Sequence, residues 1–253
     1  MNAMITVVVL THNSETTIKR TLIGLRAFDE LIILDDFSTD KTVSIGKQFK
    51  AKVIIRHLAG DFAGQRNYAL KQAKGDWVLF VDSDEVVTEE LRQEILRVVE
   101  DPNFAGYYLK RTDYFYGKAL IHGETASVRL LRLAKRDTGN WERPIHEVWN
   151  IAGPTATLAT PLLHYPHSNV AQFLDEINWY STLNAKLLFA QKKREPTWYI
   201  VVYPTSKFFV NYVWKLGFLD GMPGMIMAMM MSFHSFLTRS KLQMLWRTKG
   251  DST

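Results

Sequence analysis

The chain has 253 residues, 47% hydrophobic and 23% charged, enough for one α/β domain with a substantial appendage and unlike a disordered composition. Cysteine is absent, which excludes disulfides and thiolate metal sites and fits a reducing compartment. The net charge of +5 is uneven: residues 1–167 carry 21 Lys+Arg against 21 Asp+Glu, and residues 168–253 carry 10 against 5. A basic C-terminal surface suits nucleic acid, anionic lipid or a phosphorylated acceptor. No zinc-finger, RNA-recognition or helix-turn-helix signature accompanies it, so no nucleic-acid partner is expected.

The chain opens on a strand pattern, Ile5–Leu10, with no basic leader or cleavage site before it, so no secretory signal is expected. Ile18, Leu22 and Leu25 follow at helical spacing, with Asn13 and Ser14 as N-cap candidates. "ELIILDD" is a second strand, and Ser38 or Thr39 caps a short helix running through Val43 and Phe49. "AKVIIR" is a third strand, "GQRNYALKQAK" a helix closed by Gly75, and "WVLFV" a fourth strand. Thr88, followed by Glu89 and Glu90, opens a helix along Leu91, Ile95 and Val98. This alternation predicts a mostly parallel central sheet with helices on both faces and ligands at the carboxyl ends of the strands. Short aromatic and β-branched runs over 105–165 read as added strands and long loops. From Val170 an apolar stripe of Phe173, Ile177, Tyr180, Leu183 and Leu187 predicts a helix.

The strand ends carry the chemistry. The first ends in Thr11-His12-Asn13, the second in Asp35-Asp36, and the fourth in Asp82-Ser83-Asp84-Glu85. In a parallel sheet these tips share one edge. Clustered carboxylates repel one another unless a cation or a donor neutralises them. Mg²⁺ or Mn²⁺, which takes one or two carboxylates plus substrate phosphates, is the simplest such partner.

The segments "VVVLTHN", "ILDDFSTDKT", "GQRNYAL" and "LFVDSDE", in this order and spacing, resemble family 2 glycosyltransferases of the GT-A fold, over about Ile5–Glu100. The resemblance implies a nucleotide-diphospho-sugar transferase fold with a C-terminal helical appendage. A catalytic domain would span 4–167 and a helical region 168–253. It implies that Asp36 contacts uracil and that Thr11 lines the same pocket. Asp82 would face the ribose, and Asp84 would hold the metal that bridges the diphosphate. Arg66 and Asn67 would lie near the nucleotide sugar, with Asn13 and Ser83 in the same donor-binding group.

"NWERPIHEVW", with "VRLLRLAKRD" upstream and "LLHYPHSN" downstream, resembles a bacterial subgroup of that family, the lipopolysaccharide-core β-glucosyltransferases. An inverting transferase needs a base for the acceptor hydroxyl. Glu147 is the expected base and His146 the second candidate, which otherwise orients the acceptor or the diphosphate. His164 is either a metal ligand or a satisfied core histidine. Arg129 and Arg132 are either phosphate ligands or ordinary surface charge.

The run Gly221–Leu237 has 17 uncharged residues, at the short limit for a span, and contains Pro, Gly, His and Ser. An interfacial or re-entrant helix pair at the inner face of the cytoplasmic membrane is expected. A hairpin closing over the enzyme's own core and a homodimer face are the alternatives. The expected activity moves a hexose, glucose from UDP-glucose in the first instance, onto a lipopolysaccharide-core or other lipid-linked saccharide. A polyprenyl-phosphate acceptor is one alternative. Another is a non-catalytic peripheral membrane protein that retains the fold, against which the intact Asp36, Asp82, Asp84 and Glu147 count. A nucleotidyltransferase would need a Gly-rich loop after the first strand, and "THNSET" has no glycine.

Overall fold

The structure, a computed structural model, describes residues 3–167 and 169–249. In chain order the main elements are β1 Ile5–Thr11, α1 Ile18–Leu25, β2 Glu30–Asp35, α2 Thr42–Gln48, β3 Lys52–Ile55, α3 Phe62–Gln72, β4 Trp77–Asp82, β5 Glu85–Val86 and α4 Glu89–Val98. They continue with β6 Gly106–Phe115, β7 Lys118–Leu120, β8 Arg129–Lys135, β9 Gly139–Glu142, β10 Val148–Ile151, β11 Thr155–Thr157 and β12 Leu162–His164. The helices α5 Val170–Ala190, α6 Tyr199–Phe209 and α7 Met222–Lys249 complete the described chain.

Two compact units divide it: Met1–Arg111 with Val128–His164, and Thr112–Ser127 with Tyr165–Thr253. The expected start of the helical region, residue 168, lies outside the described residues.

In the first unit the strands run β3-β2-β1-β4 in parallel, and β8 joins β4 in the antiparallel sense. The start of β6 pairs antiparallel with β8, and β11 pairs parallel with β6. The strands read as unbroken apolar runs because both faces are covered. Ile5, Val7, Val9, Leu79 and Val81 meet Ile18, Leu22, Leu91 and Ile95 on one face. Val8, Ile32, Leu34, Val78 and Phe80 meet Ala69, Leu70, Trp141 and Trp149 on the other. The GT-A arrangement of a mixed sheet flanked by helices is therefore present.

Several caps differ from expectation. Asn13 and Ser14 do not cap α1 with their side chains. The Ser14 carbonyl accepts from Thr17 and Ile18, and no side chain caps the helix. Ser38 and Thr39 do not cap α2 either, because their groups are used at the strand tips. Ser38 donates to Asp35, Thr39 donates to Asn13, and Asp40 Oδ1 accepts from Thr42 N. Asp61 caps α3 through Gly64 N, and Thr88 caps α4 through Leu91 N as expected. Gly75 lies beyond the end of α3, where a Cβ would stand 2.6 Å from Thr6 N.

The second unit holds α5, α6 and α7. The buried residues of α5 are Phe173, Ile177, Ser181 and Ala185. Tyr180, expected inside, is exposed. The inner face is a strict i, i+4 row that ends in small residues and lets α7 approach closely. Met227 and Met230 of α7 pack with Phe115, Leu120, Phe173 and Ile177. Part of the Met-rich run is thus core of its own unit, while Met222 and Met229 are exposed. Among the described residues no helix is long and apolar enough to cross a membrane.

Gly24, inside α1, faces β5: a Cβ there would lie 2.4 Å from the Val87 carbonyl oxygen. Helix propensity alone favours alanine by about 1 kcal/mol. Steric conflict with fixed backbone is expected to reverse the sign, so Gly24→Ala should destabilise by about 1–3 kcal/mol in urea unfolding. A stabilised variant would contradict the packing described for α1.

Candidate active site

The tips of β1, β2 and β4 form one hydrogen-bonded edge. Asp35 is fully buried and accepts from Thr11 Oγ1 at 2.8 Å, Ser38 Oγ at 2.6 Å and Ser38 N at 2.8 Å. The Thr11 hydroxyl is therefore engaged inside the protein, and its carbonyl accepts from Asp36 N. Asp36 itself points away from Asp35. Its Oδ1 accepts from Leu58 N at 2.9 Å and lies 2.9 Å from His57 Nδ1. Partial burial raises its pKa, but these hydrogen bonds and the His12 and His57 charges outweigh that and hold the carboxyl below the usual range. Asn13 and Phe37 adopt positive φ, 46° and 51°. That region is unfavourable for a bulky Phe, so the tips are held in a strained shape by this network.

The β4 tip is built around two arginines. Arg66 of α3, 2% exposed, donates from Nη2 to Asp82 Oδ1 at 2.9 Å and from Nε to Glu147 Oε1 at 2.9 Å. Its guanidinium lies over Trp141 and Phe80, 4.7 and 5.3 Å from the ring centroids. Arg132 of β8, 5% exposed, donates from Nη2 to Asp82 Oδ2 at 2.5 Å. Burial alone would raise the Asp82 pKa, but the Arg132 and Arg66 charges outweigh it and hold the carboxyl far below the ordinary range. Glu85, fully buried, accepts the Asp82 backbone N–H at 2.8 Å through Oε2, and its Oε1 has no hydrogen-bond partner among the described residues. Burial and the neighbouring Asp82 charge push its carboxyl up. Arg66 Nη1 and Arg132 Nε are likewise buried donors without an acceptor among the described residues.

The remaining site residues divide between structural and open positions. Asn67 exchanges two 2.8 Å hydrogen bonds with the Trp141 backbone and so fixes β9 onto α3. Phe62 N donates to Pro144 O at 2.9 Å, which ties down the loop carrying His146 and Glu147. His146 is exposed, at φ 54°. Ser83 lies turned inward: its Oγ is 2.8 Å from Ser14 Oγ and its carbonyl accepts from Thr21. Asp84 Oδ2 lies 3.4 Å from His164 Nε2, where β12 pairs with β5. Arg129 is exposed, away from the buried position of Arg132.

Glu85 is the member that the sequence leaves without a role, and Arg132, read as a phosphate ligand or surface charge, is instead buried against Asp82. The signal for Arg132 was its place among apolar neighbours in "RLLRLAK", where alternation along the strand sets it beside the sheet's other buried side chains. Its exposed counterpart Arg129, three residues earlier, blurs that signal.

The family model for glycosyl transferase family 2 matches residues 6–153. The chain belongs to that family. It is 28% identical over 242 residues to the lipopolysaccharide core biosynthesis glycosyltransferase LpsC of Rhizobium meliloti, spanning 91% of this chain and 88% of that protein. It is also 28% identical to an uncharacterized glycosyltransferase of Rickettsia bellii, over 94% of this chain and 85% of the relative. Glucosyl-3-phosphoglycerate synthase from Mycobacterium tuberculosis, solved with Mn²⁺, UDP and glucosyl-3-phosphoglycerate, superposes with a TM-score of 0.50 at 18% identity. That match covers 76% of this chain and 81% of the synthase. The S. aureus protein TarS gives 0.50 at 17% identity, over 95% of this chain and 55% of TarS. The structural matches speak to the fold: this glycosyltransferase has the GT-A architecture.

Removing one partner of a buried ion pair leaves an uncompensated charge and costs about 3–5 kcal/mol. Arg66→Ala removes the partner of Glu147 and one of the two guanidinium partners of Asp82, which keeps Arg132, so a loss near the lower end of that range, about 3 kcal/mol, is expected in urea unfolding. Arg66→Lys should recover only part of it, because one ammonium cannot reproduce the two directed N–H bonds. A loss under about 1 kcal/mol in Arg66→Ala would contradict the role given to this cluster.

Proposed function

We propose that the protein is an inverting hexosyltransferase that moves glucose, or a related hexose, from a UDP-sugar to a hydroxyl of a lipopolysaccharide-core or other lipid-linked saccharide at the inner face of the cytoplasmic membrane. The observation that carries this reading is Arg66, which ties the donor-side tip of β4 to the loop of Glu147 in one hydrogen-bonded cluster. The name of the Rhizobium relative supports the acceptor class. The UDP and Mn²⁺ in the mycobacterial synthase support the donor class and a divalent cation.

Asp36 offers an acceptor to the uracil imide N–H. The unpartnered Arg66 Nη1 and Arg132 Nε suit an anionic ligand, since buried donors are otherwise satisfied. Asp84 and His164 fit Mg²⁺ or Mn²⁺: a carboxylate and an imidazole already face each other, and such ions take few protein ligands alongside phosphate oxygens. Asp82 suits that role less, because both its oxygens accept from guanidinium groups. When bound, the cation would stabilise negative charge developing on the departing diphosphate. The acceptor oxygen attacks the anomeric carbon as the bond to the diphosphate oxygen breaks, and Glu147 takes the hydroxyl proton. Its Oε1 is held by Arg66, which fixes the carboxylate's orientation. His146, on the same loop, is the second candidate base.

Calorimetry with UDP and Mn²⁺ tests the donor half. Asp84→Ala is expected to abolish the Mn²⁺-dependent part of UDP binding while the fold persists, and unchanged Mn²⁺-dependent affinity would remove Asp84 from the metal site. Glu147→Gln is expected to keep UDP-sugar binding and lose about 10²–10⁴-fold in turnover. Near-normal turnover in that variant would move the base to His146 or elsewhere.

A further inference from the structure

Helix α6 turns its apolar side outward. Trp198, Val201, Val202 and Phe209 stand at i, i+3, i+4 and i+11, one side of a helix with 3.6 residues per turn, and Val213 follows in the π-helical turn. All five are exposed, Val201 at 67%. The packed side is marked instead by Pro204 and Asn211, which are buried. Pro204 O accepts from Ser232 of α7 at 2.7 Å. A helix that served only its own core would carry these residues the other way round. The stripe continues through the π-helical turn Val210–Trp214 to Trp214, 84% exposed.

The unpaired charge flanking this stripe is basic, and Glu124, the acidic group beside the helix, is taken up by Lys207 and Asn211. No acidic residue occurs between Glu195 and Asp220, and Asp220 is buried. Exposed Lys192, Lys193 and Arg194 precede Trp198, and exposed Lys215 follows Trp214. Each end of the apolar stripe therefore has an exposed tryptophan next to exposed cations. Tryptophan prefers the boundary between hydrocarbon and water, and lysine and arginine prefer anionic headgroups. The stripe is also too short to span a bilayer.

We propose that the outward face of α6 and the turn after it lies in the plane of an anionic bilayer, with its aliphatic side chains among the acyl chains and Trp198 and Trp214 at headgroup level. This deepens the membrane-surface part of the function proposed above and rests on it. It assigns the contact to α6, whereas the Met-rich run places Met227 and Met230 in its own core.

The test uses the full chain without substrate. Its probes are sedimenting vesicles of phosphatidylcholine alone and of phosphatidylcholine with phosphatidylglycerol. The protein is expected to sediment with the anionic vesicles, less in high salt but not abolished, because salt screens the lysines and not the apolar contact. Val201→Asp and Phe209→Asp alter exposed side chains, and each is expected to weaken partitioning about tenfold or more. Lys215→Glu should weaken it by a smaller factor and keeps the test valid if an aspartate variant misfolds. Ile23→Asp, an exposed apolar site on α1, should bind as wild type. Circular dichroism and UDP-sugar hydrolysis accompany every variant. If wild type binds and the α6 variants bind equally, this face is wrong and the membrane-surface reading survives. If wild type ignores both vesicles, both fall. A dimer that Val201→Asp converts to monomers would make the face a subunit interface and overturn the proposal.

Discussion

Arg66 is closed off from water and holds two carboxylates that reach it from distant parts of the sequence. A guanidinium can do this because its N–H groups diverge in one plane, so Nε and Nη2 address different partners. The surroundings follow from its burial. The faces of Trp141 and Phe80 shield it, Asn67 holds Trp141 in place, and Asp82 is drawn onto both Arg66 and Arg132. Buried charge is tolerated only when it is paired and hydrogen-bonded, so removing Arg66 strands Glu147 and leaves Asp82 on Arg132 alone.

This arrangement separates the roles of the two β4-tip aspartates. Asp82 is neutralised by arginine on both oxygens, while Asp84, two residues on, faces His164. The intervening Ser83 lies against Ser14 and Thr21, which anchors the turn between them. Two carboxylates close in sequence thus have different partners, two guanidinium groups for Asp82 and an imidazole for Asp84.

Much of the first unit was legible because its physics is local and repetitive. Unbroken apolar strands demand cover on both faces, and the Thr88 cap needs only its own helix. The acidic tips were legible as a group, since the parallel order brings them together. What escaped depended on contacts far apart in the chain. The hydroxyls of Thr11 and Ser38 look like cap or pocket groups until Asp35 claims both. Arg132 and Arg129 read alike in sequence and differ only by the face of β8 they occupy. On α5, large side chains outside and Ser181 and Ala185 inside invert the usual pattern, because close approach to α7 selects small residues. The same inversion on α6 has no packing explanation within its own unit.

Hexose transfer from a uridine diphosphate donor is measured most directly on defined acceptors. Folded protein would be incubated with UDP-glucose, Mn²⁺ and lipopolysaccharides truncated at successive core sugars, with UDP and the mass of each acceptor followed together. The expected result is UDP release matched by the gain of one anhydrohexose on one truncation, and loss of both in Asp84→Ala. Absence of UDP release and of mass gain with every UDP-hexose and every truncation would contradict it.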